Sequence, residues 1–144
     1  MLEPKIIAGN LFKDHRGAVL FNNNFDASRV KRIYIIENKD LITVRAWQGH
    51  RIEQKWMAPV SGKFKISIVK INLSGIPDKN SEILEFIVSA ESLDVLHIPA
   101  GFANSIQAVE PHSKLLVMAD YYAGEVSDEL RFENNYFNNF SPSF

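Results

Sequence analysis

Apolar and polar residues alternate along this chain over short segments. Segments rich in Ile, Val and Phe cover residues 30–36, 63–73, 82–88, 95–98 and 114–119, and no stretch keeps helical spacing over three turns. Alternation with a period of two places every second side chain on the same face of a strand. The pattern therefore predicts an all-β protein.

The segment 63–73 changes its buried face partway along. Phe64, Ile66 and Ile68 share one face, whereas Val69 and Ile71 fall on the other. A bulge near Ile68 would produce this pattern, and so would a strand that is covered on both sides. Both alternatives are consistent with the wall of a barrel or sandwich.

Turn residues separate the apolar segments at intervals of about ten residues. Examples are residues 22–24, Ser61 with Gly62, and residues 99–101. Many short strands at even spacing are typical of a sandwich, a jelly roll or a small barrel. We expect such a barrel over about residues 5–130, within a single domain that spans residues 1–144.

Composition narrows the possible functions. The 144 residues are 46% hydrophobic and 23% charged, with a net charge of −1 and no cysteine. A balanced charge argues against binding to nucleic acid, and the lack of cysteine excludes thiolate metal sites and thiol nucleophiles. The sequence has neither an apolar signal core nor a run near the ~20 apolar residues of a membrane span, so we expect a cytoplasmic protein.

The four histidines are the first candidates for acid–base chemistry. His15 and His112 lie in polar turns and are expected to be solvated, and His97 is as consistent with a barrel wall as with a function. His50 differs because polar, ionisable and aromatic residues crowd the segment 45–55 around it. We predict that His50 belongs to a functional site, although a solvated loop remains the alternative.

Several segments of the chain carry a family resemblance. RAWQGHR at 45–51, the PVSGKF turn and LHIPAGFANSI resemble the two motif regions of a cupin, the double-stranded β-helix or jelly-roll barrel. FKDHRGAVLF and KLLVMADYY resemble the dTDP-4-dehydrorhamnose 3,5-epimerase family. VKRIYII followed by RAWQGHR, QKW and VSG resembles the TDP-4-oxo-6-deoxyglucose 3,4-ketoisomerases, often called WxcM-like.

The chain departs from the epimerase pattern at three polar positions. The histidine base of that family corresponds to Gln48, its opposing tyrosine to Leu116, and its aspartate to Ile66. The basic positions match at Arg16, Arg45 and Lys55. The ketoisomerase pattern loses only the first of its two histidines, at Gln48. The resemblance therefore favours 3,4-ketoisomerisation of a dTDP-4-keto-6-deoxyhexose in deoxysugar or surface-polysaccharide biosynthesis.

The resemblance implies a role for each candidate residue. The predicted catalytic residues are His50, as the base that moves a proton from C3 to C4, Tyr34, as a relay, and Lys55, which would stabilise an enediolate. The predicted substrate-binding residues are Arg16, Arg45, Gln48, Trp47 and Asn104. Arg16 and Arg45 suit phosphate oxygens, and Trp47 or Trp56 suits stacking on thymine, with wall packing as the alternative for both tryptophans.

Metal-dependent cupins place two histidines, a glutamate and a third histidine at positions that here read Gln48, His50, Glu53 or Gln54, and Asn104. One imidazole with amide ligands is a poor site for iron, manganese or zinc. We therefore predict no metal and no cofactor. The remaining alternatives are a non-catalytic cupin that binds a nucleotide sugar or glycan, and an epimerase.

The aromatic residues of segment 133–144 and the exposed edges of a barrel favour a partner subunit. We expect a homodimer, with a frayed terminus as the alternative role for this segment.

Overall fold

The computed structural model describes residues 2–71 and 78–137, which form β-strands and connecting turns without a helix. The strands are β1 Lys5–Ile7, β2 Asn10–Asp14, β3 Gly17–Phe21, β4 Arg32–Ile36, β5 Val44–His50, β6 Lys55–Ser61, β7 Lys63–Lys70, β8 Ile83–Ser89, β9 Val95–Ile98, β10 Phe102–Ala108, β11 Lys114–Ala119 and β12 Glu129–Arg131. The all-β class that the alternating pattern predicts is confirmed. Among these residues no helix is long and apolar enough to cross a membrane.

Ten strands form two five-stranded antiparallel sheets. Sheet I has the order β1-β9-β6-β11-β4, and sheet II has the order β12-β5-β10-β7-β8. From β4 to β7 successive strands alternate between the sheets, so each connection crosses from one wall to the other. This crossing connectivity gives the jelly-roll barrel that the sequence predicts.

The main core lies between the two sheets. Sheet II contributes Phe64, Ile66 and Ile68 from β7, and sheet I contributes Leu115 and Val117 from β11. All five side chains are fully buried, and burying a side chain of this size stabilises a fold by about 1.5–3 kcal/mol. The alternation in the sequence thus selects the residues that hold the sheets together.

The opposite face of sheet II is covered as well. Val69 and Ile71 pack there with Trp47, and Phe137 from the C-terminal segment closes this cluster. The register of β7 with β8 and β10 runs without a shift, so β7 has no bulge and is covered on both sides. The predicted segment 63–73 extends to residues 72 and 73, which lie outside the described residues, as do residues 138–144 of the aromatic tail.

A tight turn joins β6 to β7 at the predicted position. Gly62 has a φ of 74°, and a Cβ atom on this residue would lie 2.0 Å from the Oγ atom of Ser113. Glycine is therefore required here both by the backbone conformation and by the close approach of the neighbouring turn.

The hairpin of β2 and β3 pairs only within itself among the described strands. Its side chains are mostly exposed, including Phe12 at 56% and Val19 at 60%. The hairpin therefore presents apolar surface to solvent in a single copy of the chain.

Candidate active site

Strand β5 is the centre of the site, with β10 on one side and β12 on the other. The register places Gln48 opposite both Asn104 of β10 and Arg131 of β12. His50 lies opposite Phe102 and Glu129 in the same way. Directly paired residues of neighbouring strands point to the same face of a sheet, so polar groups from three strands converge here.

A cleft of about 680 Å³ opens over this face. Its polar lining residues are Tyr34, Glu37, Arg45, Gln48, Asn104 and Arg131. His50, two residues beyond Gln48 on β5, is 8% exposed and is not itself part of this lining. The cleft thus contains four of the predicted site residues, and His50 is the next residue of β5 on the same face.

The imidazole of His50 is held by a carboxylate. Its Nδ1 atom lies 3.1 Å from Oδ1 of Asp128, whereas its Nε2 atom is buried without a hydrogen-bond partner among the described residues. A carboxylate only accepts hydrogen bonds, so a neutral ring donates its Nδ1 proton to Asp128 and keeps a lone pair on Nε2. This is the tautomer that a general base needs.

Asp128 also fixes the turn that follows β5. Its Oδ2 atom accepts hydrogen bonds of 2.8 Å from the backbone amides of Ile52 and Glu53. Burial acts to raise the pKa of Asp128, but the hydrogen bonds from Glu53, His50 and Ile52 outweigh burial and lower this pKa below its usual value. Asp128 is therefore an ionised carboxylate that orients His50 and the turn together.

Glu53 joins the imidazole to two cations. Its carboxylate is buried, and its Oε2 atom lies 3.6 Å from both the His50 Nε2 atom and the Lys55 Nζ atom. Its Oε1 atom lies 3.3 Å from the Nη2 atom of Arg32. A buried carboxylate is costly unless it is paired, and these cations supply the pairing.

Lys55 and Tyr34 meet at the inner end of this chain of contacts. The Nζ atom of Lys55 donates a hydrogen bond of 2.6 Å to the hydroxyl of Tyr34, and Lys55 is 4% exposed. The guanidinium of Arg32 lies over the Tyr34 ring, 5.0 Å from its centre. The structure therefore brings all three predicted catalytic residues, His50, Lys55 and Tyr34, into one network through Glu53.

A second carboxylate holds the other end of the turn. Asp120 accepts hydrogen bonds from the backbone amide of Gln54 at 2.8 Å and from its side-chain amide at 3.2 Å. The oxygen of that side chain lies 2.8 Å from Nε2 of His97, whose ring stacks on Trp56 at a centroid distance of 5.1 Å. Burial and the charge of Lys5 lower the pKa of His97. His97 and Trp56 are thus wall residues outside the cleft.

Trp47 packs on the opposite face of sheet II. Its side chain is 1% exposed, its ring contacts Phe137 edge to face, and its Nε1 atom donates a hydrogen bond to the backbone oxygen of Asn134. No face of the indole is left for a nucleobase. Of the two roles considered for Trp47, packing is the one that the structure shows.

The predicted phosphate-binding residues lie in different places. Arg45 lines the cleft, and its Nε atom donates a hydrogen bond of 2.9 Å to Oδ1 of Asn38. Arg16 lies in the exposed turn of the β2–β3 hairpin and pairs with Asp14 at 2.7 Å. A single copy of the chain does not bring Arg16 to the cleft.

The positions that depart from the epimerase pattern are apolar in the fold as well. Ile66 is fully buried in the main core, and Leu116 packs on the outer face of sheet I. Strand β11 therefore supplies no acid to the site. Within residues 2–71 and 78–137, no three histidine, aspartate or glutamate side chains are grouped so that they could hold a metal ion.

Comparison with known proteins places the fold. No family model matches the chain, and no curated protein matches it. Solved structures do match, among them a mutant of the 3,4-ketoisomerase QdtA from Thermoanaerobacterium thermosaccharolyticum in complex with TDP-4-keto-6-deoxyglucose, with 21% identity, a TM-score of 0.70, and coverage of 97% of this chain and 96% of that chain.

Two further matches are another 3,4-ketoisomerase and a 3,5-epimerase. The WlaRB TDP-quinovose 3,4-ketoisomerase from Campylobacter jejuni has 17% identity and a TM-score of 0.68, with 96% of this chain and 100% of that chain covered. The epimerase RmlC from Legionella pneumophila, in complex with dTDP-4-keto-L-rhamnose, has 20% identity and a TM-score of 0.71, with 92% and 73% covered.

These identities establish the fold. The chain has the cupin fold, a double-stranded β-helix, which is also the fold of the solved 3,4-ketoisomerases and 3,5-epimerases that it matches. The neighbours belong to the two enzyme groups that the sequence motifs resemble, so the resemblance is confirmed at the level of the fold.

Proposed function

We propose that this protein is a nucleotide-sugar isomerase that moves the carbonyl group of a dTDP-4-keto-6-deoxyhexose from C4 to C3. The observation that carries the proposal is the placement of His50, whose Nδ1 atom lies 3.1 Å from Asp128 while its Nε2 atom makes no hydrogen bond to the described residues. Solved structures of 3,4-ketoisomerases with the same fold support it. The proposal includes a cytoplasmic location and a place in deoxysugar or surface-polysaccharide biosynthesis.

The proposed mechanism moves protons without a cofactor. The carbonyl at C4 acidifies the proton on C3, and His50 removes this proton through Nε2 to give an enediolate. His50 then returns the proton to C4, while the hydroxyl of Tyr34 gives a proton to the oxygen on C4 and takes one from the oxygen on C3. Lys55, which bonds the Tyr34 hydroxyl, stabilises the negative charge of the intermediate.

This mechanism requires the sugar to lie at the inner end of the cleft, against Gln48, and requires the His50 Nε2 atom, which is buried beside Glu53 in the free protein, to become accessible to it. The amide nitrogen of Gln48 donates a hydrogen bond of 2.6 Å to Glu129, which leaves its amide oxygen to accept a bond from a sugar hydroxyl. Asn104, 4% exposed and paired with Gln48 across β5 and β10, is the second amide at this position.

Incubation with dTDP-4-keto-6-deoxyglucose in deuterated buffer tests the reaction. We expect a 3-keto product that carries deuterium at C4. The recovered substrate should carry deuterium at C3. Both follow because the imidazolium proton of His50 exchanges with solvent. Mass spectrometry and NMR of the sugar give the number and position of the deuterium atoms. Deuterium at C5 would indicate the epimerase instead.

A binding protein without catalysis is the second candidate. Gln48 cannot titrate, and Leu115 and Val117 on the inner face of β11 offer no acid opposite His50. Binding of the nucleotide sugar without any deuterium exchange would favour this candidate over the isomerase.

We also propose that the protein is a homodimer. Exposed apolar side chains occur on the β2–β3 hairpin and on edge strand β4, where Ile33 is 64% and Ile35 57% exposed. A second copy would cover such surface. Light scattering at micromolar concentration should give twice the chain mass of 16.4 kDa, and a mass equal to one chain would count against the dimer.

A further inference from the structure

Strand β12 contributes a cation to the cleft that the sequence motifs do not indicate. Arg131 lies opposite Gln48 in the register of β12 with β5, and its side chain lines the cleft. The same arginine also lines an adjoining cleft of about 430 Å³, together with Ala46, Phe132, Glu133, Asn134 and Tyr136. Arg131 therefore lies where the two clefts meet.

Hydrogen bonds hold Arg131 in place at one end of its guanidinium. Its Nε atom donates to Oε2 of Glu129 at 2.5 Å, and Oε1 of Glu129 accepts from the Gln48 amide at 2.6 Å. Burial acts to raise the pKa of Glu129, but the bonds from Arg131 and Gln48 outweigh burial and lower this pKa. Glu129 is thus an ionised carboxylate that orients the cation and the amide together.

The terminal nitrogens of Arg131 stay available. Among the described residues, the hydrogen bond and the ion pair of this guanidinium are both made by its Nε atom, and not by its two terminal nitrogens. Arg45, three residues before Gln48 on β5, shows the same arrangement, with its Nε atom on Asn38. Both arginines line the cleft from sheet II. The carboxylate in the cleft lining, Glu37, follows β4 of sheet I and therefore comes from the other sheet.

We propose that Arg131 binds the diphosphate of the nucleotide sugar, with Glu129 as the residue that positions it. This inference rests on the proposed function, since it assumes a nucleoside diphosphate sugar as the ligand. A guanidinium with free terminal nitrogens forms paired hydrogen bonds with phosphate oxygens. The sugar then lies on the Gln48 side of Arg131, and the nucleoside extends over the adjoining cleft with Phe132 and Tyr136.

Calorimetric titration of TDP and of thymidine into Arg131→Gln, Arg51→Gln and wild-type protein tests the assignment. Arg51 is an exposed arginine of the turn after β5 that lines none of the clefts described here, so its variant controls for the change in net charge. We expect Arg131→Gln to bind TDP about 10-fold or more weakly, the loss of one to two charge-assisted hydrogen bonds, and to bind thymidine as wild type does. Arg51→Gln should bind both ligands within about twofold of wild type.

The outcomes separate this inference from the proposed function. Equal TDP affinity in wild type and Arg131→Gln would overturn the assignment of Arg131 and leave the isomerase standing. A wild-type protein without affinity for TDP would overturn the nucleotide-sugar function and this inference together. A weakening of TDP and thymidine to the same extent would show that Arg131 has a structural role, and would also overturn the assignment.

Glu129→Gln tests the positioning step. If Glu129 acts through Arg131, this variant weakens TDP binding in the wild-type background and adds little in the Arg131→Gln background. Equal and additive losses in the two backgrounds would show that Glu129 acts independently of Arg131, and would overturn the positioning role.

Discussion

The His50→Asn variant should lose turnover by about 100-fold or more while keeping its affinity for the nucleotide sugar within a few-fold, the usual result of removing a general base. An asparagine amide can still donate a hydrogen bond to Asp128, so the turn after β5 keeps this contact. It has no basic lone pair at neutral pH, so the C3 proton has no acceptor. Binding and catalysis are expected to separate in this variant.

Steady-state assays, deuterium exchange and calorimetry with the same sugar measure the two effects. His112→Asn is the matched control, because His112 lies in an exposed turn with a φ of 61°, a conformation that asparagine adopts readily. Its turnover should equal that of wild type. If His50→Asn isomerises the sugar at the wild-type rate, His50 is not the base and Tyr34 is the next residue to test.

The Asp128→Asn variant is expected to lose both stability and turnover. The carboxylate accepts bonds from His50 and from the amides of Ile52 and Glu53, and an asparagine of the same size retains at most part of this set. A lost bond to a buried carboxylate costs about 1.5–3 kcal/mol of the free energy of unfolding. Because the asparagine no longer selects the His50 tautomer, turnover should fall by about two orders of magnitude or more.

The effect of Asp128→Asn on the free energy of unfolding is expected to depend on pH. Since the pKa of Asp128 is lower in the folded protein than in the unfolded chain, its contribution is complete above the unfolded value of about 3.9 and is lost as the pH falls through the folded value. Urea unfolding should therefore show a gap between wild type and Asp128→Asn that narrows from pH 7 toward pH 3. Asp26→Asn should show a smaller gap, because the carboxylate of Asp26 is fully exposed and its hydrogen bonds, which lower its pKa, come from Ser28 alone. A gap that is constant over this range would contradict the assigned ionisation of Asp128.

Local alternation predicted the strands of this protein, and the motifs indicated its candidate site residues. Phe64, Ile66 and Ile68 lie on the core side of β7, as their spacing indicates. His50 and Lys55, which the motifs indicated, both lie next to Glu53, because β5 and β6 belong to the two sheets and the short turn between them limits their separation. The face of a strand and the closeness of two residues on either side of a short turn both depend on a few neighbouring residues, so the sequence predicts them.

The alternation along β5 also indicates the position of Trp47. Trp47 is an odd number of residues from both Gln48 and His50, so a regular strand points it to the opposite face. Applied to β5, this rule favours packing for Trp47, as the structure shows, although it fails for Arg45, which lines the cleft near a register shift in the pairing with β10.

The residues that sequence reasoning missed come from distant parts of the chain. Asp128 meets His50 across 78 positions, and Glu129 meets Gln48 across 81. These contacts depend on the pairing of β12 with β5, which no local pattern specifies. The sequence indicated Glu53 only as a possible metal ligand, because its pairing with Arg32 of β4, 21 positions away, is not specified by a local pattern either.

The turn after β5 depends on two carboxylates, Asp120 and Asp128, that are made late in translation. When His50, Glu53 and Lys55 have left the ribosome, neither acceptor has yet been synthesised, and a buried arrangement of these charges has no compensation. We expect the nascent chain to keep this segment hydrated and unstructured until the last described strand emerges and docks on β5. The paired arrangement of these charges would then form in one step with the docking of β12 on β5.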